Sequence, residues 1–264
     1  MKLRLFTSPK PVIGMIHVGA LPGTPAGRLP LAKIIAAAMR EAKIYREAGL
    51  DGVVVENMHD VPFLRGGVGP EIVSCMTAIA QAVKAEFRGV TGVQILAAAN
   101  REALAVALAA SLDWVRVEGF AFAHVADEGL IDSCAGELLR YRRQIGAEKI
   151  QVWTDIKKKH AAHAITADVS LGETAAAAEF MRADALIITG TATGKPPARA
   201  DVTEAKAHSA LPVIIGSGMD AENIGQFLPV ADGFIVGSCF KQGGCWDRPV
   251  DAARVRAFMK KARA

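Results

Sequence analysis

The chain lacks the features that mark several large functional classes. No uninterrupted apolar run reaches the ~18 residues of a membrane-spanning helix, so no span is expected. The opening segment MKLRLFTSPKP carries basic residues but too few apolar ones before its prolines for the h-region of a secretory signal, which points to a cytoplasmic protein. Cysteine is scarce: Cys75, Cys134, Cys239 and Cys245 show no CxxC spacing, so a zinc ribbon or a thioredoxin-like redox pair is excluded and reduced, mostly buried thiols are expected. The net charge is only +4, with lysine and arginine spread along the chain apart from KKKH at 157–160 and KKARA at the C-terminus, so the usual nucleic-acid footprint is missing. There is no linker, charge block or low-complexity stretch, and residues 1–264 are read as a single domain.

What is present is a regular alternation. A composition of 51% hydrophobic and 22% charged residues supports a full core. Eight apolar runs recur: PVIGMIHV (11–18), DGVVVEN (51–57), GVQIL (92–96), DWVRVEGF (113–120), KIQVWTDI (149–156), ADALIITG (183–190), LPVIIGSG (211–218) and DGFIVGS (232–238). Nearly continuous apolar strands alternating with helical segments indicate a parallel sheet covered on both faces. Asn100 is expected to cap the third helix, Ser170 with Glu173 to form a capping box on the fifth, and Gly49 and Gly146 to end the first and fourth. Eight strand–helix pairs in 264 residues predict an α/β fold closed into one (β/α)8 TIM barrel.

In such a barrel the site lies at the C-terminal ends of the strands. The last two loops both begin at a Gly-Ser step, in PVIIGSGMDAEN (212–223) and ADGFIVGSCFK (231–241). Glycine lets the backbone approach an anion closely, so Gly216, Ser217, Gly218, Gly237 and Ser238 are expected to bind phosphate, with Asp220 capping the seventh helix and Lys241 adding charge. Polar residues ending the other runs are His17, Glu56, Asn57, Gln94, Glu118, Asp155, Lys157, His160, Thr189 and Thr191. Of these, His17, Glu56, Asp155, Lys157 and His160 are the candidate catalytic set. His17, Glu56 and Asp155 could also hold a divalent zinc, manganese or magnesium ion, because carboxylate and imidazole suit those metals. A Schiff base on Lys157 is disfavoured, since three consecutive lysines repel one another least in water. Lys195 is open between a catalytic role, a phosphate contact and a solvated charge; His163 and His208 read as surface positions. LRGGVGPE (64–71) reads as a flexible loop or a lid.

Two motifs are rejected. GTATGKP (190–196) has one residue too few between its glycines for a P-loop, and Pro196 stands where a Ser or Thr would meet magnesium. GSGMDA lacks the third glycine of a dinucleotide fingerprint and comes too late in the chain, so no NAD site is expected.

The ordered motifs VIGMIHVGALPGTP, VVVENMHDVPF, TDIKKKHAA, ADALIITGTATGKPP, PVIIGSGMDAENI and ADGFIVGSCFKQGG resemble the BtpA/SgcQ family across nearly the whole chain. The resemblance implies a barrel related to phosphate-binding barrels; one member is named for photosystem I biogenesis and another lies with sugar-utilisation genes. Asp127, Asp155, Lys159 and His160 match the family pattern. VQILAAAN (93–100) stands in place of a more polar stretch, Glu118 in place of an asparagine and Lys157 in place of a histidine, which suggests a divergent paralogue with an altered pocket wall.

Together these readings predict a metal-assisted acid/base enzyme, an isomerase, epimerase or lyase, acting on a phosphorylated sugar or nucleoside-like metabolite. The alternative is a non-catalytic assembly or regulatory scaffold. Barrels often self-associate, but no segment marks an interface for a homo-oligomer, and neither nucleic acid nor membrane is an expected partner.

Overall fold

Short strands rich in valine and isoleucine close on themselves in a computed structural model that describes residues 3–158, 160–190 and 194–263. The strands are β1 (Val12–His17), β2 (Gly52–Glu56), β3 (Val90–Gln94), β4 (Trp114–Val117), β5 (Gln151–Ile156), β6 (Ala185–Ile188), β7 (Val213–Ile215) and β8 (Gly233–Val236). Each pairs in parallel with its neighbours in sequence and β8 pairs with β1, so the barrel is closed. The helices are α1 (Leu31–Glu47), α2 (Pro70–Phe87), α3 (Asn100–Ala109), α4 (Ala135–Gln144), α5 (Leu171–Phe180), α6 (Arg199–His208), α7 (Ile224–Phe227) and α8 (Ala252–Ala262). All eight expected strands are present, and the fold is a TIM barrel.

The strand period of two divides the core. One set of side chains faces the helices. The other fills the barrel: Ile13, Met15, Val54, Trp114, Trp153, Ala185, Ile187, Ile214 and Ile235 form a separate buried cluster. Trp114 and Trp153 stack within it, ring centres 4.0 Å apart and planes 19° from parallel. Space for Trp114 exists because β3 carries Gly92 opposite, where a Cβ would lie 2.3 Å from the indole. The N-terminal segment closes the floor, with Leu3 in the cluster and Phe6 against Trp153.

Local signals held in part. Ser170 and Glu173 form the expected capping box, with bonds of 3.0 and 2.7 Å. Gly49 and Gly146 follow α1 and α4 in the left-handed region. Asn100 is not a cap: it is the first residue of α3, and its amide turns inward to donate to the Glu118 carbonyl at 2.7 Å. Asp220 does not cap α7 directly; its Oδ1 accepts from the amides of Glu222 and Asn223 in the turn before it.

Above the barrel the loops are tied together. Asn57 donates to Asp60 (2.9 Å) and accepts from the Leu96 amide (2.8 Å), while Asp60 accepts from the Leu21 amide (2.8 Å), joining the loops after β1, β2 and β3. The loops after β4 and β5 share a small antiparallel sheet of His124–Ala126, Gly129–Ile131 and Ala161–Ala162, which the sequence pattern had not indicated.

Candidate functional site

Two residues beyond each plug residue, the inward position changes character. Met15 is followed by His17, Val54 by Glu56, Gly92 by Gln94, Trp114 by Arg116 and then Glu118, Trp153 by Asp155, Ile187 by Thr189, Ile214 by Gly216 and Ile235 by Gly237. All of these later residues line one cavity of about 510 Å³ at the C-terminal ends of the strands. His17, Glu56 and Gln94 lie directly in register across β1, β2 and β3. The ring is charged or amide-bearing from β1 to β5 and bare backbone on β7 and β8.

On the β1–β2 side, His17 Nδ1 lies 2.9 Å from the Trp246 carbonyl. A carbonyl only accepts, so Nδ1 carries the hydrogen and Nε2 is the nitrogen presented to Glu56, 3.5 Å from its Oε2. An imidazole nitrogen and a carboxylate at that separation can share and pass on a proton.

Across the mouth, Arg116 and Asp155 form a forked ion pair, Nε to Oδ2 and Nη2 to Oδ1, each 2.8 Å. Burial alone would lower the Arg116 pKa, but Asp155, with Glu56 and Glu118, outweighs it and holds the guanidinium pKa above its ordinary value. Beside this pair Lys158 Nζ lies 2.9 Å from Glu118 Oε1, which also accepts from Gln94 Nε2 at 3.1 Å.

On the β7–β8 side the two Gly-Ser turns face the same cavity, joined by Arg254 of α8, whose Nε donates to the Cys239 carbonyl at 2.7 Å. Ser217 Oγ is buried with no hydrogen-bond partner among the described residues. The glycines differ in what requires them. Gly218 has φ +78° and a Cβ there would meet the Lys195 and Pro196 backbone at 2.2 Å; Gly237 has φ −116° and a Cβ would make only ordinary contact, 3.5 Å from Met15 and 3.6 Å from His17. The Gly216 amide donates to the Ile188 carbonyl at 2.8 Å, so it belongs to the sheet.

Several expected roles change with this geometry. Lys241 does not reach the cradle: it is 1% exposed and its Nζ turns to Glu41 of α1, at 2.7 and 2.8 Å. Lys157 donates to the Thr166 carbonyl (3.0 Å) and lines a smaller hollow between the loops after β4 and β5; among the described residues the lysine that lines the main cavity is Lys158. Asp155 has both oxygens on Arg116, so it is not placed as a base, and a metal held jointly by His17, Glu56 and Asp155 does not fit: among the described residues no group of three His, Cys, Asp or Glu is close enough to hold one. His160 is exposed at the cavity rim. Lys195 is exposed and makes its contribution through its backbone, against Gly190 and Gly218. His208 is exposed, whereas His163 pairs its ring with His124, 5.6 Å between centres. Thr191 and Lys159 lie outside the described residues. Arg116, Lys158, Trp246 and Arg254 were not anticipated; for Arg116 a signal existed, since it stands two residues from both Trp114 and Glu118 on one inward face.

No helix among the described residues is long and apolar enough to cross a membrane. In architecture the chain is similar to thiamine phosphate pyrophosphorylase from Pyrococcus furiosus (TM-score 0.60, 15% identity, covering 97% of this chain and 96% of that one). It is also similar to Mycobacterium tuberculosis tryptophan synthase (TM-score 0.64, 17% identity, 97% and 93% covered). In sequence it is 50% identical over 263 residues to an uncharacterized mitochondrial protein of Caenorhabditis elegans, covering 97% of this chain and 95% of the relative. It is 35% identical over 256 residues to the photosystem I biogenesis protein BtpA of Synechocystis, covering 97% and 88%. With the BtpA family model matching residues 8–264, every element that builds the cavity falls inside the match, and the chain belongs to the BtpA family.

Proposed function

We propose that the protein is an enzyme that binds a phosphorylated small metabolite and moves a proton on it, as an isomerase, epimerase or lyase does. The observation that carries the reading is the division of one cavity. A paired imidazole and carboxylate face it from β1 and β2, and two glycine turns with a buried Ser217 hydroxyl that has no partner among the described residues face it from β7 and β8. The phosphate is assigned to the backbone of Ser217, Gly218, Gly237 and Ser238, the Ser217 hydroxyl and the Arg254 guanidinium. Backbone amides and a forked cation are the groups that recognise such an anion.

His17 Nε2 is assigned as the base that takes a proton from carbon next to a carbonyl, with Glu56 stabilising the imidazolium that results. Arg116, its charge locked by Asp155, faces the cavity between the two ends and would stabilise the oxyanion left on the carbonyl. Asp155 then acts by orienting Arg116. Nothing in this scheme routes a step through a metal. Names such as thiamine phosphate pyrophosphorylase describe phosphate-handling neighbours and agree with the proposal only at the level of fold. The proposal places the chemistry in the cytoplasm; the mitochondrial description belongs to the worm relative.

Thermal unfolding against inorganic phosphate and a panel of sugar phosphates tests the reading. A ligand at about 100 times its dissociation constant adds about 2.7 kcal/mol, or a rise of roughly 5–10 °C for a chain of this size. Selective stabilisation that is lost in Gly237→Asp supports the cradle; no shift with any phosphate removes it. The second reading, a binding scaffold, draws on the Synechocystis relative's name. It predicts that surface substitutions abolish function in the cell while His17→Ala does not.

A further inference from the structure

We infer that the ligand end away from the phosphate is polyhydroxylated, so that the cavity takes a phosphate ester of a sugar or polyol whose hydroxyls are received by Glu118 and Gln94. The inference rests on the phosphate reading above and goes on to name the substrate class.

The β3–β4 wall is built around two acceptors that lack donors. Glu118 Oε1 accepts from both Lys158 Nζ, at 2.9 Å, and Gln94 Nε2, at 3.1 Å. That leaves Glu118 Oε2 and Gln94 Oε1 buried with no hydrogen-bond partner among the described residues. The residues are only 5% and 2% exposed, and both line the cavity. A buried acceptor without a donor is costly, and most of all when it is part of a carboxylate; native structures keep such groups where something else is to fill them. Rearrangement within the wall is restrained. Asn100 grips the Glu118 backbone from both sides, donating to its carbonyl at 2.7 Å and accepting from its amide at 3.4 Å, and Gln94 ends a strand in register with Glu56.

The chemistry of the missing group follows. Two acceptors require donors, so a ligand end made of carboxylate or keto oxygens would set acceptor against acceptor. Charge narrows the choice further. Lys158 already balances Glu118 and Arg116 already balances Asp155, so the wall calls for a neutral donor, which a hydroxyl is and an ammonium is not. The same cavity is also lined by Met58, Phe63, Leu96 and Trp246, which suit the C–H face of a carbon chain or sugar ring. In a ring of eight strands, β3–β4 and β7–β8 stand on opposite sides, so the ligand must reach across the mouth; inorganic phosphate alone fills one end.

Tryptophan emission provides the readout. Trp114 and Trp153 are fully buried in the plug, and the remaining tryptophan of the chain, Trp246, lines the cavity. The full-length protein is titrated with inorganic phosphate, n-pentyl phosphate and ribitol 5-phosphate, the last chosen because it has hydroxyls but no carbonyl to react. Ribitol 5-phosphate is expected to bind at least about tenfold more tightly than pentyl phosphate, as sites built to pair hydroxyls discriminate against analogues that lack them. Glu118→Gln and, independently of charge, Gln94→Leu are each expected to bring ribitol 5-phosphate down to the pentyl phosphate level, with melting curves confirming that each variant folds. Equal affinity of the two esters in the wild type, or a full preference retained in whichever variants fold, overturns the inference while leaving the cradle standing. Absence of binding by all three probes removes the cradle and the inference together. If the esters bind but Gly237→Asp changes no affinity, the phosphate reading falls alone, and the hydroxyl preference is judged on the β3–β4 variants.

Discussion

The two halves of the barrel mouth solve different problems at the same height on the same fold. From β1 to β5 the inward residue above the plug is a His, Glu, Gln, Arg or Asp, and each is held by a neighbour: His17 by the Trp246 carbonyl, Glu118 by Lys158, Arg116 by Asp155. On β7 and β8 the equivalent residues are Gly216 and Gly237, and the surface offered is backbone. A side chain placed in a buried ring must bring its own partner, or its desolvation is uncompensated. Backbone groups are already fixed by the strands, so the glycine half needs no such network. The charged half can therefore be broken electrostatically, and the glycine half only sterically.

The largest effect is expected where that distinction is sharpest. Asp155→Ala leaves the Arg116 guanidinium buried without its partner, and removing one member of such a pair costs about 3–5 kcal/mol. A marked fall in the unfolding midpoint is expected, whereas His17→Ala, which removes a single imidazole–carboxylate contact at 3.5 Å and not a forked ion pair at 2.8 Å, should lose turnover with a smaller fall. Equal stability of the two variants would erase the contrast. Lys241→Met extends the test outside the mouth. Burial pulls the Glu41 carboxyl up and the Lys241 ammonium down against their mutual attraction, so losing Lys241 should cost about 3–5 kcal/mol, largely recovered when Glu41→Leu is added. Phosphate affinity should be unchanged in the double variant, which is the outcome that separates Lys241 from the cradle.

Much of this was legible in the sequence because strands repeat every two residues. The plug-then-polar step fixes His17, Glu56, Gln94 and Asp155 at the mouth, and the same count reaches Arg116, which was missed because it sits inside an apolar run and not at its end. Past the last strand residue the period stops, and with it the prediction. Lys157 and Lys158 exchange roles just after β5, where the chain leaves the sheet and Lys157 takes a left-handed turn at φ 46°. Lys241 fails for a related reason: the chain after β8 turns through a short helical segment and carries the side chain back to Glu41 of α1. The clasp between the loops after β4 and β5 depends on pairing between distant segments, which no local pattern encodes.

That clasp supplies a smaller, pH-dependent test on the charged side. His124 has its pKa lowered from 6.5 to about 4, first by burial and then by the Lys158 charge and His163. The folded state therefore prefers the neutral ring, and the unfolded chain binds the extra proton. Stability from this group is complete above pH 6.5 and declines as pH falls from 6.5 toward about 4. His124→Gln should flatten that part of the stability–pH curve measured by urea unfolding; an unchanged slope would assign the acid sensitivity elsewhere.

The finest test lies within the glycine half, where two neighbouring glycines should behave oppositely. At Gly218 the left-handed φ of +78° and the Lys195–Pro196 backbone 2.2 Å from any Cβ make alanine intolerable without a shift of two loops. Gly218→Ala should cost about 2–3 kcal/mol, the range of combined backbone strain and overlap. At Gly237 neither reason applies: φ is −116° and a Cβ would rest at 3.5 Å from Met15. Gly237→Ala should therefore cost far less stability than Gly218→Ala, as a methyl that makes only ordinary contacts should. A methyl there would instead stand in the way of whatever approaches this backbone from the cavity. The same alanine should then weaken phosphate binding while the protein still folds. Unchanged phosphate affinity in a fully stable Gly237→Ala protein would mean that the β8 turn is an ordinary turn, and the anion would have to be sought on Ser217 and Arg254 alone.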